Sequence, residues 1–398
     1  MVWEEYEIAL KVSSVLMLTS SYPISNSNLG TFIRNIASCL VRKGLRVGCL
    51  VFSASGKFSR YIDQEGVEVI EYPYSWFLPP SLHKGRGLIP SLKVSLIAKL
   101  EIPLYLLATF LYLRKFGKDF EIIHSQWFIP SGYIACACKK SIARPVITTA
   151  WGAEFHLPNL AIVRFILNTV LRKSDRTTTV SGYMKERAAQ YLKDTDIIEI
   201  IPNAIDYKRF QVTRRKKEKM IIAAVRRLVP EKKIDDLIKA FANVPENLKE
   251  KCELWIVGDG PEKENLKKLI RTLKISNFTR FLGMVSYDRI PELLSQVDIC
   301  VNPSMQEGMA TINLESMASG CCTIATKGYG NDEVLLDGET GLLYEPGNID
   351  SLSSLLEMCI ENFPSNMGEN AKREIENKYS IEKITEKYIA IYDSLKLD

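Results

Sequence analysis

Short apolar runs separated by polar, turn-forming segments recur along the whole chain, and they alternate between strand-like and helix-like spacing. Val15–Leu18 reads as a buried strand. A polar loop follows, then a helix over about Thr31–Lys43, in which Phe32, Ile36 and Leu40 share one face and Gly44 ends the helix. Arg46–Phe52 is the next strand, with further strands expected at Val67–Tyr72, Ile122–His124, Val146–Ala150, Thr177–Val180 and Ile197–Ile201. The segment KRFQVTRRKKEK, Lys208–Lys219, holds seven basic residues and little to bury, and is expected to cross the surface between two domains. A second series then begins, with strands expected in Met220–Val225, Leu254–Gly258, Phe281–Gly283, Ile299–Ser304, Cys322–Thr326 and Gly341–Pro346. Its clearest helix is Pro261–Leu273, with Leu266, Leu269, Ile270 and Leu273 along one side.

Strand–helix alternation of this kind predicts parallel sheets covered by helices, hence an α/β chain of two doubly wound domains. The expected boundaries are 1–207 and 208–375. Residues 376–398, with Ile381, Ile384, Tyr388, Ile391 and Leu395 at helical spacing, form a final amphipathic helix. Ligands of such domains sit beyond the carboxyl ends of the strands, so a cleft between the domains is expected.

Composition narrows the class. With 398 residues, 46% of them hydrophobic and 25% charged, the chain is an ordinary globular protein. Its net charge of +5 is uneven: residues 1–200 carry 24 Lys/Arg against 16 Asp/Glu, and the remainder 28 against 31. A basic first half suits a phosphate-bearing acceptor or an anionic membrane face. Nine cysteines without a CxxC, and histidines only at positions 83, 124 and 156, argue against a disulfide frame or a zinc centre. The longest apolar run, Ile102–Leu113, is too short to span a bilayer, and Glu4, Glu5 and Glu7 stand where a signal peptide would be basic. The expected location is cytoplasmic, with peripheral contact at the inner membrane face through the basic half and the apolar stretch Trp76–Pro80.

Two constellations carry chemistry. In PSMQEGMATINLESMASG, residues 303–320, a strand leads through a loop into a helix whose free N–H groups suit a diphosphate. Glu315 inside that helix can accept two hydrogen bonds from a ribose diol, and Glu307 on the loop lies near where a sugar would hang. In VRRLVPEKK, residues 225–233, Arg226, Arg227 and Lys232 follow a strand directly, where cations meet phosphates and can replace a divalent metal at a departing diphosphate. A solvated loop and an exposed helical glutamate would be the bland alternatives. Asp194-Thr195-Asp196 imitates a metal-binding DxD but reads as a turn before a strand, and Gly258-Asp259-Gly260 does not complete a dinucleotide fingerprint.

Together with the YP…LGTF loop (22–32), HSQWFIPSG (124–132), WGAEF (151–155), SDRTTTVS (174–181), IPNAID (201–206), VGDGP (257–261) and GNDEVLLDGETGLLY (330–344), these motifs resemble the retaining glycosyltransferases of family 4 over nearly the whole chain. The eight-residue step from Glu307 to Glu315 is that family's hallmark. The resemblance implies a GT-B fold of two Rossmann-like domains and hexosyl transfer from a UDP-sugar or GDP-mannose to a glycan or lipid-linked acceptor. It implies no metal, no cofactor and no nucleic-acid partner. It assigns the diphosphate to Arg227 and Lys232, the ribose to Glu315, the transferred sugar to Glu307 and the base to the neighbourhood of Gly258. The backbone of Gly308, Met309, Ala310 and Thr311 would cap the phosphates, and Gly30 would admit the first loop to them. It also implies that the final helix crosses back to pack on residues 1–205.

The chain departs from the family pattern at several points. Ser27 and Asn28 stand where relatives often have glycines, Arg226 replaces a glycine, and Lys233 follows Lys232 where a glycine is usual. Trp151 and Glu154 replace the histidine and aspartate of a His-Gly-x-Asp pattern, leaving His124 and His156 as candidate substitutes on the acceptor side. Loss of the histidine motivates a second reading, a sugar-nucleotide-binding partner subunit with weak catalysis.

Overall fold

The computed structural model describes residues 10–23, 30–75, 82, 96–157, 160–192, 194–213, 217–305 and 307–396. It divides into two compact units: Met1–Val180 with Lys185–Ile201 and Glu382–Asp398, and Ser181–Met184 with Pro202–Ile381.

The first unit is built on an eight-stranded sheet. Its strands are β1 (Ser14–Leu18), β2 (Arg46–Phe52), β3 (Ser59–Ile62), β4 (Glu68–Tyr72), β5 (Ile122–Gln126), β6 (Val146–Ala150), β7 (Arg176–Thr179) and β8 (Ile198–Ile200). The order is β3-β4-β2-β1-β5-β6-β7-β8, parallel throughout except for the antiparallel edge pair β3–β4. β1, β4, β5 and β6 are buried along their whole length, and β1 and β6 accordingly read as continuous apolar or small-residue runs. The strand order reverses beside β1, so the loops after β1 and β5 flank the switch point where such sheets bind ligands.

Helix Leu96–Phe116 extends well beyond the apolar run that marked it in sequence and carries Pro103 inside. Among the described residues no helix is long and apolar enough to cross a membrane. Trp76–Pro80 lies outside the described residues.

The final helix, Ile381–Ser394, adds its residues from Glu382 onward to this first unit. Asp393 accepts the N–H groups of Lys11 and Val12 at 3.1 and 2.9 Å, and Glu386 pairs with Lys43 at 2.9 Å. Tyr388 and Tyr392 are buried.

The second unit holds six parallel strands: β9 (Met220–Val225), β10 (Cys252–Val257), β11 (Thr279–Gly283), β12 (Ile299–Asn302), β13 (Cys322–Thr326) and β14 (Leu342–Tyr344). Their order is β11-β10-β9-β12-β13-β14, the doubly wound arrangement with its reversal between β9 and β12. Ile222, Leu254 and Val301 of the sheet pack with Leu237, Phe241 and Leu356 of the covering helices; each such side chain contributes roughly 1.5–3 kcal/mol by leaving water.

Of the basic segment, residues 208–213 and 217–219 are described, and two of their cations are paired. Phe210 is fully buried, Arg209 pairs with Asp288 at 2.9 Å, and Lys217 is paired with a half-buried Asp298. Arg209 and Lys217 tie these residues to the rest of the second unit.

Candidate active site

In the second unit the candidate site forms where β9 and β12 diverge. β9 ends at Val225, and the next residue, Arg226, sends its guanidinium to the end of β12. There it donates to Asn302 Oδ1 at 2.5 Å and pairs with Glu307. Lys232, in the turn Pro230–Lys232, donates to the same Glu307 oxygen at 2.6 Å. The three side chains are between 9 and 17% exposed, so this is a buried cluster of two cations around one carboxylate. Burial pushes the Glu307 carboxyl up, but Arg226 and Lys232 outweigh it and hold the group below the usual carboxylate range. Burial pulls the Lys232 ammonium down, only partly opposed by Glu307.

Arg227 lies elsewhere. It is exposed and makes no side-chain hydrogen bond or ion pair among the described residues. The cation that the structure brings to Glu307 beside Lys232 is therefore Arg226, the residue in the family's glycine position.

Glu315 lies one turn into helix Thr311–Ala318 and is buried, yet its carboxylate meets no hydrogen-bond donor among the described residues. Burial raises its pKa to about 7, with Arg226 and then Arg209 opposing. The helix begins at Ala310 without a side-chain cap, so its first-turn N–H groups have no side-chain acceptor. Ahead of it, the Gly308 carbonyl accepts from Ser181 Oγ at 2.6 Å and the Met309 carbonyl from Asn203 Nδ2 at 2.7 Å. These bonds fix the backbone of 308–311 before any ligand arrives. Gly258 has φ +133°, and a Cβ there would stand 1.8 Å from the Arg226 carbonyl oxygen. The loop after β10 therefore packs on the backbone that carries Arg226.

A buried amide chain runs behind the cluster. Asn302 donates to Asn313 at 2.9 Å, Asn313 to Asn331 at 2.8 Å, and Asn331 to the Thr326 carbonyl at 2.8 Å. It joins the ends of β12 and β13 to helix Thr311–Ala318 and holds the acceptor to which Arg226 docks.

In the first unit, Trp151 follows β6, is half-buried, and donates its indole N–H to Gln126 Oε1 at 2.9 Å. Its ring lies 4.4 Å from that of Phe32. With the N–H taken, the indole has only its ring surface to present. Gly30 has φ +78° at the start of helix Thr31–Arg42, and a Cβ would lie 2.2 Å from the Ser21 carbonyl oxygen. Ser27 and Asn28 lie outside the described residues.

Two acceptor-side candidates, His124 and Glu154, stand differently from their sequence reading. His124 is 1% exposed, and both ring nitrogens are bonded, to Tyr392 Oη at 2.8 Å and Thr149 Oγ1 at 2.7 Å. Burial lowers its pKa to about 3, so the ring is neutral and structural, and offers no nitrogen to a ligand. Glu154 is buried and accepts the backbone N–H groups of Phe128 at 3.1 Å and Gly152 at 3.0 Å, bracing the loops after β5 and β6. Burial raises its pKa to about 6 against those donors. His156 belongs to the turn Ala153–His156, and its side chain is outside the described part. Asp194 accepts the Asp196 N–H at 3.2 Å, an Asx turn.

The model of "Glycosyl transferases group 1" matches residues 206–374, and that of "Glycosyltransferase Family 4" matches residues 29–209. Between them they account for both units. The chain belongs to the group 1 glycosyltransferases. It is similar to an N-acetyl-alpha-D-glucosaminyl L-malate synthase of Bacillus anthracis, 29% identical over 293 residues that make up 69% of this chain and 75% of the relative. A GDP-mannose-dependent alpha-(1-6)-phosphatidylinositol monomannoside mannosyltransferase of Mycolicibacterium smegmatis is 22% identical over 361 residues, 85% of this chain and 87% of its own. Among solved structures, Anabaena HepE in complex with UDP-glucose superposes with a TM-score of 0.74 at 17% identity, covering 96% of this chain and all of that one. This glycosyltransferase therefore has the GT-B fold. The asparagine chain 302–313–331 and Gln126 are parts of it that motif reading did not single out. Their signal in sequence is weak: Asn302 is a polar residue ending an otherwise apolar strand, while Asn313 in the helix, Asn331 in a loop and Gln126 after a histidine and a serine do not stand out.

Proposed function

We propose that the protein is a retaining, metal-independent glycosyltransferase. In this reading it moves a hexose-type sugar from a UDP-sugar or GDP-mannose to a glycan or lipid-linked acceptor. The observation that carries the proposal is the buried cluster at the β9–β12 switch point. Two cations share one carboxylate there, leaving a net positive charge, beside Glu315, whose buried carboxylate meets no donor among the described residues. A desolvated carboxylate without donors suits a ribose diol, and the excess cation suits a diphosphate. Relatives act in the same chemical range: one is named GDP-mannose-dependent, and HepE was solved with UDP-glucose.

In the reaction, the bond from the anomeric carbon to the β-phosphate oxygen breaks, and a bond from that carbon to the acceptor hydroxyl oxygen forms on the same face. The acceptor proton passes to the departing phosphate oxygen, so no protein base is required. Arg226 and Lys232 stabilise the charge that develops on the leaving diphosphate, the role a divalent metal fills elsewhere. As the donor binds, Glu307 exchanges part of its contact with Lys232 for contact with the transferred sugar. The first unit takes the acceptor, with Trp151 as an apolar wall.

Trp151 also favours a second reading, a sugar-nucleotide-binding subunit with little turnover, because its only polar group is already bonded to Gln126. Calorimetric titration with UDP, GDP and their sugars tests the donor site. One nucleotide class binds, and Glu315→Gln loses most of that affinity. Absence of binding by either class would remove the donor assignment.

A further inference from the structure

Three neighbouring helices of the first unit leave an apolar surface uncovered. On helix Leu96–Phe116, Ile97, Leu100, Leu104, Leu107 and Leu111 follow one another at steps of three and four, forming a single stripe. All five are exposed, Leu100 to 75% and Leu107 to 51%. Helix Tyr133–Ile142 packs between this helix and helix Ala161–Lys173: Cys138 Sγ meets the Phe110 carbonyl at 3.7 Å, and Cys136 Sγ the Val170 carbonyl at 3.9 Å. On the third helix Ile162 and Phe165 are 60 and 59% exposed.

Each helix leads into the next parallel strand, β5, β6 and β7 in turn, and so runs back from the carboxyl edge of the sheet. Their first two turns, which carry Ile97, Leu100, Ile162 and Phe165, therefore gather toward that edge. The loops bearing Gly30 and Trp151 leave the sheet at the same edge. Large contiguous apolar surface on a globular protein marks an interaction site.

Charge decides the partner. The three helices carry three, two and three Lys/Arg residues against a single carboxylate, Glu101, which is buried. Lys99, Arg114, Lys140 and Arg164 are exposed. Docking two copies through this face would set cation against cation with no exposed carboxylate on the helices to neutralise them. An anionic lipid surface satisfies both features, since leucine and phenylalanine side chains enter the acyl boundary while long cationic side chains reach the headgroups.

We infer that the outer face of helices Leu96–Phe116 and Ala161–Lys173 docks on an anionic membrane surface, presenting the carboxyl edge of the first sheet to lipid-borne acceptors. The docking surface itself does not depend on the donor assignment, so the two can fail separately.

The test is co-sedimentation of the full chain with phosphatidylcholine vesicles, with and without phosphatidylglycerol, at low and high salt. Leu104→Glu/Leu107→Glu and Lys99→Glu/Arg164→Glu proteins are compared with the unaltered one, and circular dichroism and nucleotide binding establish that each is folded. The unaltered protein should sediment with phosphatidylglycerol vesicles and be released by salt, and each variant should partition at least roughly tenfold less. Two results would overturn the inference. One is equal partitioning of all three proteins. The other is a dimer of the unaltered protein that the leucine variant dissolves, with no vesicle binding in either.

Discussion

Removing the charge from Glu315 while keeping its shape should make the unliganded protein more stable and a poorer binder of its donor. The carboxyl is buried among helix Thr311–Ala318 and its neighbours, and burial raises its pKa from 4.5 to about 7. Below pH 4.5 the group is neutral in both folded and unfolded chains and costs nothing. As pH rises from there to about 7 the unfolded chain ionises first, so stability falls, and above 7 the whole penalty is present. A shift of this size corresponds to about 3 kcal/mol. Glutamine removes that term but buries an amide without partners, at roughly 1–2 kcal/mol. The net gain for Glu315→Gln is then about 1–2 kcal/mol at pH 8, or several degrees in the melting of the second unit. At pH 5 the variant should show no gain. The same change removes the acceptor for a ribose diol, and should weaken nucleotide binding by roughly ten- to a hundredfold. Thermal unfolding at both pH values without nucleotide, followed by calorimetric titration, reads all of this. A variant destabilised equally at pH 5 and pH 8 would mean that the carboxylate serves the fold and not a ligand.

Arg226→Ala and Lys232→Ala should each lower kcat/KM about 10²–10³-fold, while Arg227→Ala stays within about threefold; steady-state transfer assays with the reverse ranking would return the diphosphate to Arg227. His124→Ala should cost on the order of 2–4 kcal/mol in denaturant unfolding and leave kcat nearly unchanged, because the buried hydroxyls of Tyr392 and Thr149 lose their shared partner. The pKa of His124, about 3 when folded, also makes native stability fall as pH drops from about 6.5 toward 3, a slope that His124→Asn should reduce in acid titrations. Trp151→Ala should damage transfer more than Trp151→His does; if the histidine variant is clearly faster than the unaltered protein, tryptophan at this position weakens an active enzyme.

The parallel sheets were legible because their central strands are buried on both sides and read as unbroken apolar runs, as in Val15–Leu18 and Met220–Val225. The edge strand Ser59–Ile62 was not, since it is mostly exposed and held instead by Arg60 and Arg46 converging on Glu68. At the candidate site, Glu307, Glu315 and Lys232 were placed by motif spacing. Which arginine accompanies them was not, because adjacent residues after a strand turn to opposite sides. Here the choice is made by backbone pairing: the Arg226 N–H bonds to Val257 and the Leu228 N–H to Asp259, a register set by close approach at Gly258. His124 misled for a different reason. A histidine ending a strand looks poised at a site, but its fate is set by Tyr392, 268 residues further along the chain. Glu154, in the place of the family's aspartate, likewise reads as a site residue, but its carboxylate is occupied by the backbone N–H groups of Phe128 and Gly152.

The most direct test of the central claim is nucleotide release from UDP- and GDP-sugars by the purified protein with a glycan or lipid-linked acceptor, run with and without excess chelator. The anomeric configuration of the product is read by NMR. The account predicts turnover with one nucleotide class, undiminished by chelator, and a product with the donor's anomeric configuration. Activity abolished by chelator and restored by manganese, or a product of inverted configuration, would contradict it.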